Sequence, residues 1–346
     1  MANKYLGFVG TYTRQSSKGI YKFILDADKK TIEQAEVAAE VGSPTYLSIS
    51  QDQRYLYAVA QDDDLGGVAS FSIDSETGKL QEINRILKEG APPCHVEARD
   101  GKLLSGNYHL GTVDLYHISD QGGISSAVSV VEHQGNGPHE RQEKPHVHYT
   151  GHTPDGKYIV VADLGTDELV TYKIENDALV RVHTLKVKAG SGPRHIAFHP
   201  SGQWAYLLTE LQSEVVVLKY HEKDGSFTEE QYISALPIDF KGTNDASAIH
   251  ITSDGKYLYT GNRGHNSIAL FEIDESTGKL TFVEHTPTGG EWPRDFVLDP
   301  SESFIVAANQ HTGNLVLFER DKATGKLTKL PSEIEVPEAV CVKFLG

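Results

Sequence analysis

The side chains with the most chemical reach in this 346-residue chain are a few arginines, one glutamate and a run of histidines. Arg194 and His195 follow Pro193, and Glu210 ends the next apolar run, so all three belong to one local unit. A carboxylate beside a guanidinium can act as a general base toward water while the guanidinium binds a developing oxyanion. The plainer alternative is an Arg194–Glu210 ion pair with a structural role. Five of the sixteen histidines fall between 133 and 152: His133, His139, His146, His148 and His152. His146 and His148 alternate along a strand, so both face one side and could share a metal. No third ligand stands at diagnostic spacing, so the expected role of His146 is to bind substrate, and no metal or cofactor is expected.

Other chemistries lack their residues. There is no Gly-x-Ser-x-Gly nucleophile elbow. Cys94 and Cys341 are the only cysteines, which rules out a disulfide framework or a cysteine zinc site. Cys94 has no evident activating partner and reads as a packed or substrate-neighbouring thiol. Thr-Gly-Lys occurs at 77–79, 277–279 and 324–326, but without the Gly-x-x-x-x-Gly-Lys-Ser/Thr that cradles phosphate. Turn chemistry accounts for it.

The elements that carry these residues repeat. Pro44-Thr45-Tyr46-Leu47, Pro93-Cys94-His95-Val96, Pro145-His146-Val147-His148 and Pro193-Arg194-His195-Ile196 open successive units. Ala246-Ser247-Ala248-Ile249, Pro293-Arg294-Asp295-Phe296 and Pro337-Glu338-Ala339-Val340 continue the series, with spacings of 49, 52, 48, 53, 47 and 44 residues. Each unit reads as four short strands. Asp155-Gly156, Ser201-Gly202 and Asp254-Gly255 suit a two-residue hairpin after the first strand. Seven such units predict an all-β, seven-bladed propeller of four-stranded antiparallel blades, with residues 1–346 as one domain. The last unit has only Ala339–Phe344, and the N-terminus supplies Leu6–Thr11, Gly19–Asp26 and Thr31–Val37. Joining them closes the ring.

In such a blade the start of strand one and the end of strand two lie at the same mouth of the channel, a usual ligand position. The first column reads Thr45, Cys94, His146, Arg194, Ser247, Arg294 and Glu338; the second reads Gln61, Tyr108, Leu164, Glu210, Arg263 and Gln310. Three of the ten arginines fall in these columns. The segments 135–144 and 239–245 read as loops over the same mouth.

Acidic residues outnumber basic ones 48 to 32, for a net charge of −16, which disfavours nucleic acid or an anionic membrane surface as partner. No apolar run approaches the ~18 residues needed to span a bilayer, and Met-Ala-Asn-Lys at the start lacks the features of a signal peptide. A cytoplasmic protein is expected, with oligomeric state unread.

Gly192-Pro193-Arg194-His195-Ile196-Ala197-Phe198-His199-Pro200-Ser201-Gly202, with Glu210-Leu211 beyond, resembles the seven-bladed propeller lactonases, a family spanning bacterial 6-phosphogluconolactonases and fungal carboxymuconate-lactonizing enzymes. Ala162-Asp163-Leu164-Gly165, Ile249-His250-Ile251 with Asn262-Arg263-Gly264-His265, and Pro293-Arg294-Asp295-Phe296 with Ala308-Asn309-Gln310 extend the match over all seven units. The resemblance implies that His146, Arg194, Glu210 and Arg263 act; Glu210, Arg194 and His146 are expected to be catalytic, with Arg263, His195, Arg294, Gln310 and Asp163 contacting a small anionic lactone or sugar phosphate. The implied reaction is metal-independent hydrolysis of 6-phosphoglucono-1,5-lactone, with Glu210 as base. A carboxymuconate-type lactonizing cycloisomerase is the alternative. A non-catalytic scaffold is the third reading, weakened by scarce tryptophan and no Gly-His…Trp-Asp repeat signature.

Overall fold

The computed structural model describes residues 3–346, apart from the side chain of Gln34; Met1 and Ala2 of the N-terminal segment lie outside the described residues. The described residues form 28 strands and no helix. Every strand belongs to one of seven four-stranded antiparallel sheets, each a simple meander. First strands of successive sheets touch one another around a ring, and the last meets the first. The result is a seven-bladed β-propeller, as the repeat predicts.

The blades follow the chain as residues 47–89, 95–132, 147–186, 193–234, 245–287 and 293–335. The seventh combines Ala339–Phe344 with Lys4–Thr11, Gly19–Asp26 and Thr31–Glu40. In its closing pair Gly7 faces Phe344 and Val9 faces Val342. Middle strands are apolar on both faces because blades cover them on both sides. Val215, Val216, Val217 and Leu218 of the fourth blade are fully buried. The core therefore sits between blades: Val160, Ala162 and Leu169 of the third pack on Leu207, Val216 and Leu218 of the fourth. The outermost strands face solvent and show mixed polarity, as in Ser226–Ser234.

The Thr-Gly-Lys segments are turns. Oδ1 of Asp74, Asp274 and Asp321 accepts amide hydrogens from the residues two and three further on, at 2.8–3.2 Å. Gly278 has φ +67°, and a Cβ there would meet the Trp204 ring at 2.4 Å, so both conformation and space require glycine. The connection after the first strand is longer than the expected two residues. Phe198 ends one strand and Trp204 begins the next. His199 N–H donates to the Trp204 carbonyl, and Gly202 N–H donates back to the His199 carbonyl. Gly202 takes the positive φ inside this larger loop. Among the described residues no helix is long and apolar enough to cross a membrane.

Candidate active site

One local irregularity builds the site. In five blades the pairing of first and second strands skips one residue near the start of the first strand. Val147 pairs with Asp163 but Tyr149 with Ala162, and Pro193 pairs with Thr209 but His195 with Leu208. The same skip passes Arg294 in the sixth blade and Val340 in the seventh, and falls between Ala246 and Ile249 in the fifth. A bulged residue leaves the ladder and its side chain is re-aimed. His148, Arg194, Arg294 and Val340 thereby line a single cavity of about 490 Å³, together with Thr45 and Cys94. The residues at or just past the ends of the second strands, Tyr12, Gln61, Tyr108, Glu210 and Arg263, line it too.

This register differs from the sequence columns in two units. Pro145 and Pro337 sit two residues ahead of the repeat position that Pro193 holds, so His148 and Val340, not His146 and Glu338, are the counterparts of Arg194. His146 does not line the cavity. Its ring stacks on Tyr108 at 4.1 Å, with Nδ1 2.8 Å from the Tyr108 carbonyl and Nε2 3.1 Å from Glu143. Asp163 is fully buried away from the cavity. It accepts the amide hydrogens of His146, Gly165 and Thr166 and lies 2.7 Å from His133 Nδ1. Gln310 is also absent from the lining, whereas Arg194, His195, Glu210, Arg263 and Arg294 meet in it.

Glu210 is the centre of charge. Arg194 Nε donates to its Oε2 at 2.9 Å, and Arg263 Nη2 makes an ion pair with the same oxygen at 2.7 Å. Arg141 donates to Oε1, and His148 Nε2 stands 3.8 Å from Oε2. Glu210, Arg194 and Arg263 are nearly inaccessible to solvent. Burial alone would raise the Glu210 pKa, but Arg263, Arg194 and Arg141 outweigh it and hold the carboxyl well below its usual range. Burial, with Arg263 as like-charged neighbour, pulls Arg194 down to about 10, still a cation at neutral pH.

Arg141 comes from the loop over the mouth, and sequence reasoning gave it no role because an irregular loop has no periodicity to read. Gln142 fixes it in place. Fully buried, its Nε2 donates to the Leu164 carbonyl and to Asp167, both at 2.7 Å, while Oε1 accepts from His139 N–H at 3.0 Å. Arg141 then also reaches Asp245 at 3.0 Å, so the loops at 135–144 and 239–245 do meet. Arg14, on the loop after Lys4–Thr11, was missed for the same reason. Five of the ten arginines line this cavity, and composition alone holds that signal only once the loops are placed.

Below the charged layer lie rings. His148, His195 and His95 follow one another at centroid distances of 5.2 and 5.5 Å, with Tyr46 and Tyr149 beside them. Burial first, and then nearby cations, keep all three imidazoles well below their ordinary pKa, hence neutral at pH 7. Burial pushes the Cys94 thiol up to about 12, and its Sγ faces the Val147 and His148 carbonyls, so it is no thiolate nucleophile. Among the described residues no group of three His, Cys, Asp or Glu side chains is arranged to hold a metal.

A chain with this seven-bladed fold matches a known class. Residues 6–344 match the family model "Lactonase, 7-bladed beta-propeller", and the chain belongs to that family. It is 50% identical, over 99% of both chains, to the 6-phosphogluconolactonase of Bacillus subtilis. A protein from Lactobacillus plantarum superposes with TM-score 0.95 at 38% identity, covering 99% of this chain and 100% of that one. The periplasmic gluconolactonase of Pseudomonas aeruginosa superposes with TM-score 0.94 at 30% identity over 99% of each.

Proposed function

We propose that this chain is a 6-phosphogluconolactonase, a metal-independent hydrolase that opens 6-phosphoglucono-1,5-lactone to 6-phosphogluconate. The observation that carries the reading is the cavity itself: five arginines around a buried, ionised Glu210 in a chain of the lactonase family. The chain carries a net charge of −16 but gathers five arginines at one mouth, so an anion is drawn to that mouth. Residues 1–346 act as one domain, since five blades contribute charged or proton-accepting groups to that mouth.

Hydrolysis needs water added to the C1 carbonyl, charge stabilised on the carbonyl oxygen, and the ring oxygen released with a proton. Arg194 is the oxyanion donor, because it is buried, fixed by Glu210 and aimed by its bulge. Glu210 is the base for water, and its basicity depends on the substrate. Free, it is held by three guanidinium groups and has little affinity for a proton. The polarised lactone carbonyl oxygen gives Arg194 a further partner, and drawing that cation away raises the proton affinity of Glu210 when water must lose a proton. His148, neutral and 3.8 Å away, takes the cavity position first expected of His146. Arg263 holds Glu210 in position from the fifth blade, and His195 forms the floor.

Sugar phosphates are intracellular metabolites, so the reading places the protein in the cytoplasm. Proton release from 6-phosphoglucono-1,5-lactone in a pH-stat is the test. Opening well above the spontaneous rate is expected. A rate equal to the spontaneous one, or a preference for cyclising a carboxylated muconate, would overturn the assignment.

A further inference from the structure

The five cavity arginines are not equivalent. Arg141, Arg194 and Arg263 are committed to Glu210. Arg14 and Arg294 have no ion pair and no side-chain hydrogen bond among the described residues, yet both line the same cavity. They lie against one ring: the Arg14 guanidinium carbon is 3.9 Å from the Tyr12 centroid and that of Arg294 is 5.5 Å away. Stacking on an aromatic face orients a guanidinium and leaves its N–H edge free for a planar or tetrahedral anion.

The arrangement is held from both ends. Arg294 is the bulged residue of the sixth blade. The loop bearing Arg14 is tied to the seventh by Glu338, whose carbonyl accepts Tyr12 N–H at 3.2 Å and whose carboxylate accepts Gln15 N–H at 2.8 Å. Ser43 N–H adds a third tether to Thr13 Oγ1 at 3.0 Å. Two cations with no ion-pair partner among the described residues, held beside arginines already committed to Glu210, offer the charge that an anion requires.

We propose that Arg14 and Arg294, braced on Tyr12, form the phosphoryl subsite and set the preference for a phosphorylated over an unphosphorylated lactone. This rests on the lactonase reading and adds which residues select the substrate class. That selection is a real variable in the family, whose relatives here carry both 6-phosphogluconolactonase and gluconolactonase names.

The test compares wild type with Arg14→Met and Arg294→Met in two measurements. Calorimetric titration with 6-phosphogluconate and with gluconate needs no turnover. Wild type should bind the phosphorylated acid far more tightly, and each variant should reduce that ratio by about 10- to 100-fold, as for loss of a charge-assisted contact. In kinetics the ratio of kcat/KM for 6-phosphoglucono-1,5-lactone over glucono-1,5-lactone should fall by the same factor. Equal losses for both ligands, or no loss for either, would overturn the subsite. A wild type that discriminates between the acids yet opens neither lactone would sink the lactonase reading and leave the subsite standing.

Discussion

Replacing Glu210 by glutamine removes one negative charge from a place where three positive ones converge. Arg194 and Arg263 have side chains 3% and 4% exposed, so neither can turn to water for compensation. Breaking a buried ion pair by removing one partner costs about 3–5 kcal/mol, because the remaining charge stays desolvated. An unfolding entropy near 2.1 cal/mol/K per residue makes 1 kcal/mol worth about 1.4 °C in a chain of this length, so Tm should fall by roughly 4–7 °C. Turnover should fall by about 100- to 10,000-fold, the usual contribution of a positioned base. Scanning calorimetry in buffer free of phosphate and sulfate measures the first effect. Added phosphate should restore part of the loss by sitting among the freed guanidinium groups. The folded pKa of Glu210 is depressed, so its stabilisation is present above its ordinary pKa of 4.5 and is lost as pH falls through the lower folded value. The gap between wild type and variant should therefore hold from pH 8 to 5 and narrow in stronger acid. A variant melting within 1 °C of wild type at pH 7 would refute the view that Glu210 offsets the buried guanidinium charge.

Three further outcomes follow from the same geometry. His95, His148 and His195 stay neutral in the fold, with pKa values below the unfolded 6.5. Stability is complete above pH 6.5 and should drop as pH falls, by up to about 1.4 kcal/mol per pH unit for each histidine; denaturant midpoints flat between pH 7 and 5 would contradict this. Gln142→Ala should leave the Leu164 carbonyl unpaired at about 1–3 kcal/mol, remove one of the three hydrogen bonds to Asp167 and free Arg141. Faster amide exchange at Gly137 and Gln142 with a raised KM is expected, and unchanged exchange would rule out the anchoring role. Val342→Asp places a charge at a fully buried position in the closing strand pair and should cost more than about 4 kcal/mol; a wild-type Tm would mean that the ring does not depend on that pairing.

Much of the architecture was readable because its determinants are local. Alternation, β-branched runs and Asp-x-x-Thr-Gly-Lys turns lie within a few residues, so blade number and ring closure follow from the chain. In the first-strand column the site was readable only where a proline marked the repeat in register. Pro193 and Pro293 do so, and Arg194 and Arg294 lie where their columns put them. Pro145 and Pro337 come two residues early, and the bulges that define the true position are properties of strand pairing that no single strand displays. His148 was passed over for His146 on that account. Arg14 and Arg141 were beyond reach for a different reason: their positions depend on side-chain anchors from distant segments, Glu338 for one and Asp167 for the other.

The most direct measurement is a crystal structure of the protein soaked with 6-phosphogluconate. The account predicts the product in the arginine-lined mouth, its C1 carboxylate against Arg194 beside Glu210 and its phosphate between Arg14 and Arg294. A product bound at the opposite mouth, or one with its phosphate on the Glu210 cluster and its carboxylate at Tyr12, would contradict it.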